Sequence, residues 1–366
     1  MKKIIFAAAL LACASCSEPK ETELKVYVDE EFTSTYMPDK GGVTAADGTI
    51  SFVLEDGTSL FMTGDCFLGD VINGQRPLDD KMINNSFVHL DAKGNYIGSI
   101  YNGTNKNPES LCVPLEAATS DKHYWYWPGH GFQEGNMIIL FMTKFFQGEP
   151  GQWGFRFDGT DVVTMNAGDY SVESIKEAYD GECPIHWGHS IMKDNGYYYI
   201  YGTRTYNGWD NSELCVSRAK YDSAKEALGS FEYFNGKEWT ADASLVGGHD
   251  GITIPVSEQF SVFRYKDTYV LLTSKRGQQV GDIYSFISDT PYGPWRNGKL
   301  LYVTQEQLHD KNLFTYNAMA HPQYINDKDE LLICYNINSY DLQQIFRDVD
   351  TYRPVFLRVP MKMILK

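Results

Sequence analysis

Five times along the chain an apolar stretch runs into a tight polar turn, a second apolar stretch and then a polar or charged residue: residues 50–65, 124–144, 187–204, 260–276 and 319–336. The apolar stretches are rich in Tyr, Phe, Ile, Leu and Val. The turns carry Asp56-Gly57, Gln133-Glu134-Gly135, Asp194-Asn195-Gly196, Lys266-Asp267 and Asp327-Lys328-Asp329. Gly and Asn tolerate positive φ, so these are hairpin signals with a mechanism. The copies begin about 60–75 residues apart, and each interval holds weaker strand patterns, at 86–90, 154–157, 214–217, 283–288 and 355–359. Four strands per repeat, five repeats and no sheet edge left open predict an all-β chain folded as a five-bladed β-propeller. A two-sheet sandwich is the alternative, but it does not require a fivefold hairpin. Short helical turns are predicted at 171–179 and 305–311.

In a propeller the innermost strand of each blade lines the axis, and ligands meet the strand ends at one face. Read off the repeat, those ends carry Asp47 and Asp65; Trp127, His130 and Lys144; His186, Trp187, His189 and Arg204; Glu258, Lys275 and Arg276; and Asn317, His321 and Asn336. In the first hairpin a three-residue loop at Glu55-Asp56-Gly57 sets Phe52 opposite Leu60 and Ile50 opposite Met62, giving one apolar face. Continued outward, this register sets Asp47 opposite Asp65. Two facing carboxylates raise one pKa and share a proton, which separates the acid and carboxylate roles of glycoside hydrolysis. Directly opposed side chains favour the short gap of a retaining mechanism. The plainer reading makes Asp47, before Gly48, a turn residue and Asp65 a loop cap.

Composition narrows the setting. The chain has 366 residues, and its 25 Tyr, 20 Phe and 7 Trp supply ample core material. Lys2 and Lys3 precede a short apolar run that is too brief to span a bilayer, followed by Ala12-Cys13-Ala14-Ser15-Cys16. This resembles a bacterial lipoprotein signal over residues 1–16 with lipidation at Cys16, Cys13 being the rival, a polar tether over 17–35 and the propeller over 36–366. The expected location is the cell envelope, with membrane contact only through the lipid, and the expected state is a monomer. Without Lys2 and Lys3 the formal charge of −16 becomes −18, which repels phosphate and excludes nucleic acid as a partner. Cys66, Cys112, Cys183, Cys215 and Cys334 are odd in number, lack CxxC spacing and read as free thiols.

The stretch Ala46-Asp47-Gly48-Thr49, Leu54-Glu55-Asp56-Gly57 and Thr63-Gly64-Asp65-Cys66-Phe67-Leu68-Gly69 resembles the opening of a glycoside hydrolase-like group of five-bladed propellers. That group includes bacterial endo-D-arabinanases and sister families of Bacteroidetes lipoproteins. Asn84-Asn85-Ser86, Tyr199-Ile200-Tyr201-Gly202 and Ser288-Asp289-Thr290-Pro291-Tyr292-Gly293-Pro294-Trp295 extend the resemblance over nearly the whole chain from about Phe32. It implies that Asp47 and Asp65 are the catalytic pair and that the partner is an oligo- or polysaccharide, arabinan-like furanosides included. The segment Trp125-Tyr126-Trp127-Pro128-Gly129-His130 departs from the pattern, which leaves room for another sugar.

Each remaining candidate has a functional and a structural reading. Glu258 is a third acid or a strand end. His130, His186, His189 and His321 are hydrogen-bond donors to sugar or carboxylate; no HxH or HExxH spacing supports zinc, so no metal or other cofactor is expected, with a structural calcium on the axis left open. Trp127 and Trp187 are sugar platforms or blade packing. Arg204 and Lys275 hold an anionic group or form salt bridges. Asn317 is a polar group at the funnel. No phosphate loop, nucleotide fingerprint or serine-nucleophile motif is present. Two functions follow: a secreted glycoside hydrolase, or a glycan-binding lipoprotein without turnover.

Overall fold

The computed structural model describes residues 24–151, 153–206, 210–247, 251–277 and 281–366. Cys16, the expected lipidation site, lies outside them. Among the described residues, five antiparallel sheets of four or five strands form the blades. Blade 1 is Ile50–Val53, Ser59–Thr63, Ser86–Leu90 and Tyr96–Ile100, and blade 2 is Tyr124–Glu134, Met137–Gln147, Phe155–Asn166 and Val172–Asp180. Blade 3 is Ile185–Asp194, Tyr197–Thr205, Ser212–Ala219, Glu232–Phe234 and Trp239–Thr240, and blade 4 is Ser261–Tyr265, Thr268–Ser274, Asp282–Ser288 and Arg296–Val303. Blade 5 is Leu313–His321, Glu330–Ser339, Val355–Pro360 and, from the other end of the chain, Tyr27–Val28. The first strands touch in sequence around a ring that closes where Leu313–His321 meets Ile50–Val53.

The hydrophobic pattern explains the packing. Neighbouring blades face each other with their apolar sides, and buried clusters fill the junctions, one of them continuous through both faces of blade 1. Phe141, Trp187, Ile200 and Tyr233 fill the gap between blades 2 and 3, and Tyr201, Phe260, Leu271 and Trp295 the gap between blades 3 and 4. Val270, Leu272, Ile333 and Leu357 join blades 4 and 5, and Phe61, Leu332 and Phe356 join blade 5 to blade 1. The described cysteines are all free, and only Cys183 is not fully buried.

Two expectations change. Residues 27–35, read as tether, belong to the folded body. Val28 pairs with Leu357, and Asp29 Oδ1 accepts from Phe32 N at 3.0 Å to cap the helix Glu30–Tyr36. Phe32 and Tyr36 from this helix pack on Phe356 at 4.7 and 4.8 Å between ring centroids. The closing strand is two residues long, too short for its own periodicity to show. Residues 171–179, expected as a helical turn because of their Glu, Lys and Ala content, form the strand Val172–Asp180 instead. The free edge of Phe155–Asn166 captures them, and sheet pairing overrides a weak local propensity. The other expected turn is a helix at Glu306–His309.

The axis is not regular sheet. The inner strands break register between Pro128 and Gly131, between Trp187 and Ser190, and between Tyr316 and Met319. In blade 1 the break is at Gly48 and Thr49, both at positive φ. In blade 4 the Val256–Lys275 bridge and the Ser261–Leu272 pair bracket a break at residues 257–260. A bulge re-aims the side chains it carries, so this ring of breaks turns polar groups toward the axis. They bind across blades: Thr49 Oγ1 donates to Asn336 Oδ1 at 2.9 Å, Ser257 Oγ to Asn317 Oδ1 at 2.9 Å, and Asn317 Nδ2 to Gln259 Oε1 at 3.0 Å.

Candidate active site

Asp47 and Asp65 lie on either side of the first hairpin's open end. The register predicted from the loop holds, with Ile50 opposite Met62 and Phe52 opposite Leu60. The same register resumes beyond the break, where Ala46 pairs with Cys66, and this sets Asp47 opposite Asp65. Two glycines permit the approach. Gly48 has φ +87°, and a Cβ on Gly64 would stand 2.3 Å from Asp47 Oδ1. Gly64 N donates to Asp47 O at 2.8 Å and ties the two strands together.

The two carboxylates differ in their surroundings. Asp65 Oδ1 accepts from Trp127 Nε1 at 2.8 Å and from Asn84 Nδ2 at 2.9 Å. Asp47 Oδ2 accepts from Tyr316 Oη at 2.7 Å. Burial, and then the charge of Asp65, push Asp47 from 3.8 up to about 7 against the pull of its tyrosine partners. Burial raises Asp65 as well, opposed by Trp127 and Asn84. Two N–H donors on Asp65 favour its ionised form. The pair is therefore built to hold one proton, carried mainly by Asp47.

Asp65 opens onto a cavity of about 450 Å³ lined also by Phe67, Trp125, Trp127, Phe155, Asn338 and Tyr352. Among the described residues no lysine or arginine lines it, whereas Asp65 and Asp80 do. Trp127 packs against Phe145 and Phe155 at 4.6 and 4.9 Å, and Trp125 stacks with His123 at 5.3 Å, so the aromatic wall is rigid.

A second polar cluster lies between blades 3 and 4. Glu258 Oε1 meets His186 Nδ1 in a very short contact and faces His189 Nε2 at 3.3 Å, while Glu258 Oε2 meets Arg276 Nη1 at 3.2 Å. Burial would push Glu258 up, but the adjacent His186 and His189 outweigh it and hold the carboxyl well below the usual range. His186 stacks on Phe157 at 4.0 Å.

A family profile described as "Domain of unknown function (DUF5005)" matches residues 29–361. The chain belongs to the DUF5005 family. No curated protein matches it. Among solved structures, the DUF5005 chain is similar to a "putative hydrolase" from Bacteroides ovatus ATCC 8483, with 20% identity, TM-score 0.73 and 93% of each chain covered. It is also similar to a variant of levansucrase from Bacillus subtilis, with 13% identity, TM-score 0.51, and 94% of this chain and 92% of that one covered. An endo-arabinase from Bacteroides thetaiotaomicron aligns at 13% identity and TM-score 0.46, over 86% of this chain and 94% of that one. At these identities the likeness is one of fold alone.

The structure sorts the remaining sequence candidates. Trp127, His186, His189 and Glu258 come to the two clusters described, and Asn317 to the axial belt. His321 is not at the funnel: it is fully buried, bound to Ser51 Oγ at 2.8 Å and Cys334 Sγ at 3.3 Å, and burial drives its pKa down to about 3. His130 sits beside the Phe52 ring at 6.2 Å, where burial lowers it to about 4. Trp187 is blade packing, 1% exposed against Tyr179 and Tyr233. Arg204 serves Glu213 and the Val246 carbonyl. Lys275 is exposed and bridges Val256 through its backbone. The bulges explain the misplacement of His130, Trp187 and His321, because a register break changes which side chains of an inner strand face the axis. Sequence reasoning overlooked Asn84, Tyr316 and Tyr352. Asn84 lies within a stretch that already carried the family resemblance; Tyr316 and Tyr352 have no local signal.

Proposed function

We propose that this DUF5005 protein is an envelope-anchored glycoside hydrolase in which Asp47 and Asp65 act as a pair. The observation that supports it best is the facing of Asp47 and Asp65 beside an aromatic cavity, with Asp47 raised to about 7. Asp47 donates its proton to the leaving glycosidic oxygen. Asp65, whose ionised form Trp127 and Asn84 favour, attacks the anomeric carbon as the glycosidic bond breaks, and water, deprotonated by Asp47, then releases the sugar from Asp65. The Cβ atoms of directly opposed residues stand about 4.5–5.5 Å apart, a spacing compatible with the carboxyl gap of about 5–5.5 Å found in retaining enzymes. Trp125, Trp127 and Phe155 offer flat faces to sugar C–H groups, and the acidic lining favours a neutral glycan over uronic acids. Arabinan-like furanosides are the first substrates to try. The signal-like segment ending at Cys16 supports lipid anchoring.

The deciding experiment screens the purified protein against neutral polysaccharides with product analysis, beside the Asp65→Asn variant. Release of oligosaccharide by the wild type and none by the variant supports the proposal. Binding without release by both would leave a glycan-binding lipoprotein.

A further inference from the structure

We propose that His186, His189 and Glu258 form a three-ligand site for a divalent first-row transition metal, zinc foremost. The set unites two histidines of one bulged strand with a carboxylate from the loop that opens blade 4, and one ligand atom from each lies within 4.8 Å of the others. Ligand bonds of about 2.0–2.2 Å around a tetrahedral ion separate the ligand atoms by about 3.4 Å, so small side-chain rotations suffice to close the shell.

The second observation is His189. It is 2% exposed, and neither of its ring nitrogens completes a hydrogen bond. Nε2 faces Glu258 Oε1 at 3.3 Å without the alignment of a bond. A buried imidazole left in this state is costly, and a metal ion in front of Nε2 removes the cost. The neighbours suit such an ion. Arg276 engages Glu258 Oε2 at 3.2 Å, which orients the carboxylate and turns Oε1 toward the two imidazoles, where a metal would replace its present contact with His186 Nδ1. Phe157 fixes the plane of the His186 ring.

The site is closed on the core side and open on the other: the His189 side chain is 3% exposed, those of His186 and Glu258 23% each. Three protein ligands with an open position are the arrangement of zinc sites that take a water or a substrate oxygen. Two histidines with one carboxylate suit zinc or ferrous iron better than the all-oxygen shell of calcium. Phe145 links this cluster to the aspartate pair, 6.2 Å from the His186 ring and 4.6 Å from Trp127. The proposal does not depend on the hydrolase reading, since it uses none of the groups assigned to bond cleavage.

The test titrates the full chain, stripped with chelator, with Zn²⁺ by calorimetry and with Co²⁺ by visible absorption, beside His186→Ala and Glu258→Gln. One zinc per chain is expected, with ligand-field bands for cobalt and at least about 100-fold weaker binding in both variants. Asp65→Asn should bind zinc like the wild type. Wild-type binding no tighter than that of Glu258→Gln overturns the site. Should a variant misfold, X-ray absorption of the zinc-loaded wild type decides: two imidazoles and one carboxylate uphold the site, and any shell without two imidazoles sinks it. A chain that binds zinc there but cleaves no glycan keeps this inference and loses the proposed function.

Discussion

Asp47 stands opposite Asp65 across a break in the first hairpin, in the register that pairs Ala46 with Cys66 on one side and Ile50 with Met62 on the other. Gly48 and Gly64 let the strands come together there without a side chain between them. The raised pKa of Asp47 follows from this placement: burial withdraws water, and Asp65 supplies a like charge.

Replacing Asp65 by Asn removes the attacking carboxylate while keeping both N–H donors close to an oxygen. Turnover should fall by a factor of about 10²–10⁴ or more, with glycan affinity little changed. Reducing-end release and calorimetric binding on the same preparation check this.

Asp47 keeps its proton to higher pH in the folded chain than in the unfolded one, with a shift from 3.8 to about 7. Between those values the folded state binds the extra proton, so stability declines as pH rises through the window and stays reduced above it. Asp47→Asn should flatten that slope and melt above wild type at about pH 8. In the wild type, kcat/KM should decline as pH passes about 7 and the acid is lost. Melting curves across pH and a pH–rate profile test both halves.

Trp127→Phe keeps an aromatic face but removes the Nε1–H that Asp65 accepts. Asp65 should then ionise at higher pH, moving the acidic limb of the pH–rate profile upward while glycan affinity holds. An unmoved limb would show that the indole N–H does not control Asp65.

Lys144, 2% exposed, sits among Glu116 at 2.8 Å, Asp161 at 3.6 Å, Glu177 at 3.7 Å and Asp158 at 4.0 Å. Lys144→Met leaves the buried Asp161 without its cation, a loss of about 3–5 kcal/mol. Denaturant unfolding should show that loss with an unchanged m-value.

A chain beginning at Pro38 lacks Tyr27–Val28 and the helix Glu30–Tyr36, and exposes the edge of Val355–Pro360. Losing the buried Phe32 and Tyr36 removes about 2–3 kcal/mol each, a fall in Tm of about 10 °C. A chain beginning at Leu24 is the comparison.

The blades were legible because their signal is local. Alternating apolar side chains and Gly-containing turns declare each hairpin within about twenty residues, and the Asp56-Gly57 turn, with Gly57 at φ +85°, dictates the register that opposes Asp47 to Asp65. Residues 27–35 and 171–179 were misread for the opposite reason. A two-residue strand has no period of its own, and the outer strand of blade 2 exists only because a neighbouring edge is free to pair with it.

Local chemistry along the chain thus decided that there are five hairpins, where each turns, and that two aspartates confront each other at the end of the first. Which side chains meet from different blades was decided only when the ring closed. Tyr316 reaches Asp47 across 269 positions of sequence, and Glu258 reaches His186 across 72. Those meetings depend on bulges that re-aim inner-strand residues and on the angle at which one blade packs on the next. Neither is encoded within a single strand, so His321 and Trp187 went into the core while Tyr316 came to Asp47.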